Sequence, residues 1–293
     1  MYQICEEVIH LEALDVVLNV LHKNVTDKIV SKRRGPKGYG NNLKLRLLLY
    51  AILVEMFSTR MLIKHLNKRQ KILFKLGFTR VPNKRTIDRW KKKLDRELEQ
   101  TITLVGDHYL QLNNSEWTIL DSTPLRDEKD PEATVGYNSQ GRFKGFKLHM
   151  SCDEKEVPLR AVVTQAHVHD SKKALDLLAP TPRTGGDSAY DAEEIKQAVK
   201  KNKSKPVFVH NPRRLGKEQK KKSPRILKAI RYVVEQGNSY VKNGVMKNAW
   251  THFKGLKAKA VFALTAVLAI QALAIFNLKS WGYPSIRIQE VRI

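Results

Sequence analysis

Three acidic residues stand where the chain changes character. Asp121 follows the β-rich run EWTIL, Asp187 follows Gly185-Gly186, and Glu235 lies inside a basic, amphipathic stretch. Carboxylates are hard oxygen donors of the kind that hold Mg²⁺ or Mn²⁺. Two or three that converge can hold a pair of such ions. The pair activates an attacking oxygen, stabilises the leaving one and neutralises a phosphodiester during in-line displacement. A single strand-end Asp is more often a turn cap, and a single helical Glu is more often solvated, so the joint occurrence carries the reading. Arg231, Glu235 and Lys242 are spaced by four and seven. On one continuing helix they share a face, a carboxylate for metal between two cations for phosphates.

The elements that must position these residues read as follows. Glu116 to Leu120 is a short strand ending on Asp121. Arg142 to Cys152 alternates as a strand, and the β-branched run Val157 to Val168 is its hairpin partner across the charged turn Asp153 to Glu156. Ser171 to Leu178 reads as a short helix. A strand then ends before Asp187, Ala192 to Lys200 is helical, and Lys205 to His210 is a strand. Ser223 caps a last helix that carries Glu235. That order is expected of an α/β, ribonuclease-H-like fold: a mixed sheet flanked by helices. Its first and fourth strands are neighbours, so Asp121 and Asp187 converge, and a helix packed across them offers Glu235.

Ahead of this unit the chain reads as all-α. The expected division is a helical DNA-binding region over 1–105 and a catalytic domain over 106–293. Leu43 to Phe57 is a strongly apolar helix. Pro82-Asn83 is a turn and cap, and the following helix, running toward Leu98, sets Arg85, Arg89 and Lys92 near one face and Ile87, Trp90 and Leu94 on another. A capped, basic helix after another helix is the pattern of a helix-turn-helix element. Its charges suit phosphates, and Lys84, Arg85 and Asp88 near its start suit base edges.

Composition points the same way. The net charge is +25 over 293 residues. Arg60 to Arg96 holds 14 Lys/Arg against two Asp, and Lys200 to Lys228 holds 12 against one Glu, so nearly all the excess sits in two blocks. Two basic blocks suit two contact surfaces for one polyanion, with nucleic acid first among them. A hydrophobic share of 42% excludes wholesale disorder, and two cysteines exclude a disulfide scaffold or a thiolate zinc cluster. Cys152, within a strand, reads as a small core residue. The first ten residues lack the order of a signal peptide, and a cytoplasmic protein associated with the nucleoid is expected.

Ala260 to Phe276 is 17 residues without a formal charge, flanked by Lys257, Lys259 and Lys279. It is short for a membrane span and rich in Ala, so a buried helix, Lys257 to Phe276, packed on the catalytic domain is expected, with no membrane as partner. His167 and His169 share a strand face but lack a fourth ligand, and read as polar strand-end residues. Lys144 and Lys147 fall on opposite faces of their strand, so at most one faces the acids.

With these residues in place, the chain resembles a DDE transposase of the insertion-sequence type, in the group whose third acid lies in a Tyr-x2-Arg-x3-Glu-x6-Lys signature. Arg231, Glu235 and Lys242 fit that spacing, and Lys228 stands at the Tyr position. Asp121-Ser122-Thr123 resembles the first acidic motif, and Gly186-Asp187-Ser188-Ala189-Tyr190-Asp191 the second. The resemblance covers about residues 43–278. It implies that Asp121, Asp187 and Glu235 ligate two Mg²⁺ or Mn²⁺ ions. It also implies that Arg231 and Lys242 contact the element's terminal strand, and that a dimer forms on paired DNA ends. Lys228 can meet a phosphate as a point charge but cannot stack as Tyr does. The implied reaction is hydrolysis at the element's end, then attack of the freed 3′-hydroxyl on target duplex DNA. A related metal nuclease that cuts without joining, or an inactive DNA-binding derivative, are the alternatives.

Overall fold

The computed structural model describes residues 38–138, 140–210 and 226–286, with four isolated positions between 12 and 19. A helix over Val8 to Leu21, which the apolar spacing of that stretch predicts, lies largely outside the described residues, as do the Ser223 cap and most of the second basic block.

From residue 38 on, five helices come first: α1 (Asn41–Leu53), α2 (Thr59–Lys68), α3 (Gln70–Lys75), α4 (Lys84–Trp90) and α5 (Asp95–Leu112). Six strands follow: β1 (Trp117–Arg126), β2 (Thr134–Asn138), β3 (Gly141–Cys152), β4 (Pro158–Gln165), β5 (Arg183–Gly186) and β6 (Lys205–Phe208). Helix α6 (Glu193–Lys201) lies between β5 and β6, and α7 (Ile226–Ser239) and α8 (Leu256–Trp281) close the described chain. The sheet order is β2-β3-β1-β5-β6, with β4 also on β3. β1 runs antiparallel to β3 and parallel to β5, and β5 is parallel to β6.

Side chains alternate across this sheet. Ile119 and Leu125 face the larger core with Phe146, Leu148 and Met150 of β3 and with α1, α5, α7 and α8. Leu120 faces a smaller core with Tyr190, Ile195, Val199 and Phe208. The apolar residues of α1 to α5 belong to the same larger core, and α5 lies against both α8 and β4.

Four local expectations are corrected. β1 does not end on Asp121. It runs five residues further because its ladder with β3 continues to Arg126, and only its pairing with β5 stops at Leu120. That leaves a free edge on the β5 side, where Pro124 is tolerated. A short strand, β2, pairs with the first part of β3 and was not expected. Ser171 to Leu178 forms two 3₁₀ turns, Asp170–Lys173 and Leu175–Leu177, rather than a helix. Finally, the capped helix stops at Trp90. Lys91, Lys92 and Lys93 form the break, with the Lys91 ammonium turned back onto Phe57 O (2.9 Å) and Thr59 Oγ1 (3.0 Å). A new helix starts at Asp95, where Asp95 and Glu97 suit a helix N-terminus.

Among the described residues, α8 is the one helix long and apolar enough to cross a membrane, but 89% of its apolar window is buried inside the protein. Its polar side chains explain the burial. Gln271 Nε2 donates to Ile102 O (3.1 Å) on α5 and to Pro158 O (2.9 Å) on β4. Lys259 does not flank the apolar run in solvent. It is fully buried, and Nζ meets Asp127 at 2.8 Å and Asp130 at 3.1 Å. It also donates to the carbonyls of Trp250 and Phe253. This satisfied ionic cluster ties the start of α8 to the β1–β2 connection.

Candidate active site

The parallel pairing of β1 and β5 ends with Leu120 opposite Gly186. The residues that come next are Asp121, still within β1, and Asp187, just past β5. Two carboxylates are thus delivered side by side at the mouth of an open cleft of about 400 Å³, lined also by Lys147, Asp170, Arg231, Glu235 and Lys242. Glycine at 186 lets this happen at close quarters: a Cβ there would press on the Tyr190 ring and on Leu120 O.

Burial pushes the Asp121 carboxyl up to about 7, and the Asp187 charge adds to this. The Ser122 backbone N–H and the Asn238 amide oppose the shift. Asp187 is also raised, by burial first and by the Asp170 charge next. Its carboxylate accepts from Ala189 N at 2.9 Å and so caps the turn Ser188–Tyr190. The turn-cap role and a place in the cleft therefore coexist in one residue.

Helix α7 packs over β1, β3 and β5. Glu235 lies on it, exposed, with Oε1 3.5 Å from Arg231 Nη2. Both line the cleft, but Glu235 does not touch either Asp. Among the described residues no three His, Cys, Asp or Glu side chains close on one point. The side chain that α7 does bring to Asp121 is Asn238, one turn beyond Glu235. Its Nδ2 donates to Asp121 Oδ2 at 2.8 Å, while its buried Oδ1 has no partner. The helix runs through Gly237-Asn238 without interruption and past Ser239 widens into a π turn, Tyr240–Val245. Lys242 thereby stays over the cleft, its ammonium 5.6 Å from the Trp250 ring centroid. Burial and the Arg126 charge lower its pKa. Lys228 lies on the backbone of α7, with its side chain outside the described residues.

Of the two strand lysines, Lys147 is the one in the cleft. Its Nζ is bonded to Asp170 Oδ1 at 2.9 Å and Val168 O at 3.2 Å. His149, directly below, is fully buried and donates or accepts at Thr164 Oγ1 (2.8 Å). At 3.6 Å from Asp170 it would form an ion pair only if protonated. Burial, which lowers its pKa to about 4, keeps this a neutral contact. Asp153 is elsewhere engaged: it accepts from Tyr109, Ser115 and two backbone N–H groups of its own turn. His167 and His169 serve locally, against Thr134 and as the cap of the turn at Asp170. Cys152 is buried, with its thiol pKa raised well above the usual range by burial.

The remaining basic candidates sit apart from the cleft, on α4 and the turn after it. Asn83 caps α4 by accepting from Arg85 N at 2.9 Å. Lys84, Arg85, Arg89 and Lys92 are all exposed. Lys84 pairs with Asp88 at 2.6 Å. Asn238 was not singled out from the sequence as a member of the acidic site, whereas Lys147 was one of the two strand lysines of which at most one was expected to face it. For Asn238 the available signal was its place one turn after Glu235 on the same helix.

No curated protein matches the chain. Among solved structures it is similar to the piggyBac transposase in a synaptic complex with hairpin DNA, determined by cryo-EM. The TM-score is 0.43 and the identity 9%, over 98% of this chain and 78% of that one. The profile of the family described as Transposase DDE domain matches residues 114–271, just over half of the chain, spanning Asp121, Asp187 and Glu235. The chain belongs to the transposase DDE domain family.

Proposed function

We propose that this chain is an insertion-sequence transposase of the Tyr-Arg-Glu-Lys group that cuts the ends of its element and joins the freed 3′-hydroxyl to target DNA. The observation that carries the reading is the placement of Asp121 and Asp187. They follow the last paired residues of two adjacent parallel strands, in one cleft with Glu235, Arg231 and Lys242, within the family-matched segment. A ribonuclease-H-like assignment is supported by the path β4-β3-β1-β5-β6 with β1 central, β2 being an addition at the edge. The helix-turn-helix assignment is supported by α2 to α4 and the Asn83 cap.

Asp121 and Asp187 fit a divalent cation. Both offer hard oxygens, and their raised proton affinity comes first from burial and then from a neighbouring carboxylate charge, both of which a bound cation would offset. Glu235 fits as a third donor only after turning away from Arg231, a short movement for an exposed side chain. A pair of Mg²⁺ or Mn²⁺ ions would supply charge neutralisation at the phosphodiester and activation of the attacking oxygen. The chain's own residues do the rest. Asn238 fixes the Asp121 carboxylate, Arg231 and Lys242 hold flanking phosphates, and Lys228 adds a cation at the signature's Tyr position. Lys84, Arg85, Arg89 and Lys92 dock duplex DNA, and a homodimer forms on paired ends. The setting is the cytoplasm.

The test is incubation with DNA carrying the element's ends and Mg²⁺ or Mn²⁺. Wild type should give cleaved ends and joined products, and Asp187→Ala neither. Equal behaviour of the two would refute the three-acid site, and nicks without joined product would instead indicate a nuclease.

A further inference from the structure

Asp170 is not one of the three acids, yet the fold sets it beside two of them. It opens the 3₁₀ turn Asp170–Lys173, which packs against the turn Ser188–Tyr190 that Asp187 caps. Its side chain lines the same cleft as Asp121 and Asp187. Glu235 lines that cleft too, but it is exposed and lies 3.5 Å from Arg231.

Two buried polar atoms mark this corner of the cleft. The Tyr190 hydroxyl is buried and has no hydrogen-bond partner among the described residues. Burial raises its pKa first, and the charges of Asp170, Asp121 and Asp187 add to this in that order. Three carboxylates thus act on one buried hydroxyl. His149 Nδ1 is also buried and without a hydrogen-bond partner among the described residues, 3.6 Å from Asp170 Oδ1. A buried polar atom left unpaired costs free energy, which the polar atoms of a ligand in this corner would recover. Acids on the rim and unpaired polar atoms behind them suit a hydrated cation. Mg²⁺ keeps several of its waters, so an acid need not touch the ion to hold it.

Lys147 completes the corner. Its side chain is only 8% exposed, and Nζ lies 2.9 Å from Asp170 Oδ1. A cation held by Asp121 and Asp187 would be drawn toward the Asp170 charge and repelled by the Lys147 charge. We propose that Asp170 is a fourth acid of the divalent-cation site, a positioning residue that holds the ion through its waters, with Lys147 as its resident counter-cation. This deepens the metal site of the reading above and rests on it.

The experiment titrates the full chain with Mn²⁺ in the absence of DNA and follows the bound ion by electron paramagnetic resonance. Asp170→Asn should weaken binding about tenfold or more, the usual cost of losing an outer-shell partner at a metal site. Lys147→Met should tighten it about threefold or more, because a repulsion is removed. Asp170→Glu should stay within about threefold of wild type, since a contact made through water tolerates a longer side chain. Glu194→Gln, an exposed change on α6, is the control for net charge. A merely structural ion pair gives a different result: breaking it from either side disturbs the same corner, and both affinities fall. Weakening in both Asp170→Asn and Lys147→Met would therefore overturn the proposal, as would an Asp170→Asn affinity equal to that of the control. If circular dichroism shows that Asp170→Asn does not fold, the other two variants decide. Tightening in Lys147→Met with retention in Asp170→Glu supports the proposal, and any other pattern overturns it. Cleavage of end-containing DNA separates the two readings. Wild-type cleavage and joining with unchanged Mn²⁺ affinity in Asp170→Asn refutes the role of Asp170 and leaves the transposase. The expected affinities without cleavage do the reverse.

Discussion

At the scale of single residues, the cleft is held in a state of electrostatic tension. Asp121 has a folded-state pKa of about 7, above the ordinary 3.8, so between those values the folded protein binds a proton that the unfolded chain has released. Stability from this group is present at low pH and is lost as pH rises through about 7. Asp121→Asn removes the ionised form while keeping an oxygen for Asn238 to donate to. It should raise Tm by about 2–4 °C in metal-free buffer at pH 8 and by little at pH 5, while abolishing cleavage. A calorimetric scan at both pH values checks this, and a fall in Tm at pH 8 would count against the burial argument. Asn238→Ala should cost about 10- to 100-fold in single-turnover cleavage, the worth of one hydrogen bond to a charged group. Asn238→Asp should do worse by placing a like charge 2.8 Å from Asp121. The acids Asp121, Asp187 and Glu235 were legible in the sequence because acids at strand and helix positions follow local pattern. Asn238 was not, because its partner lies 117 residues away.

At the scale of elements, the sequence reading succeeded where periodicity is strong and slipped where tertiary contacts set the boundary. β1 outruns its apolar run because β3 supplies a ladder as far as Arg126. The basic helix ends early because Lys91 finds oxygens on Phe57, just before α2, and on Thr59, its first residue, rather than solvent. α8 presents a sharper test. Its buried Lys259 neutralises Asp127 and Asp130, which are themselves buried. Lys259→Met would leave buried Asp130 without an ion pair and Asp127 with Lys254 alone (3.2 Å), and should cost about 3–5 kcal/mol. Urea unfolding measures this directly, and a loss under about 1 kcal/mol, the scale of a surface pair, would mean the cluster is solvated.

At the scale of the whole molecule, the helical region and the sheet share one core, to which α1, α5 and α8 all contribute. Their interface is continuous and apolar, so they should not melt apart. Far-UV circular dichroism and the fluorescence of Trp90, Trp117 and Trp250, which sample both regions, should report one coincident thermal transition. Two separated midpoints would show that the helical region folds on its own. The same continuity bears on function, since the shared core joins the basic face of α4 to the sheet that carries the acidic cleft.

The sequence by itself determined the charge excess and its two blocks, the three acids with their spacing to Arg231 and Lys242, and the apolar character of α8. These properties depend on residue identity and on neighbours within a few positions. Tertiary structure decided that Asp121 lies within a strand rather than at its end, that Asn238 rather than Glu235 touches it, and that Lys259 is buried. It also decided that Lys254 pairs with Asp127, 127 positions earlier in the chain. Each of these depends on contacts between positions far apart in the chain, where packing and the balance of burial against ion pairing, not local pattern, choose the partner.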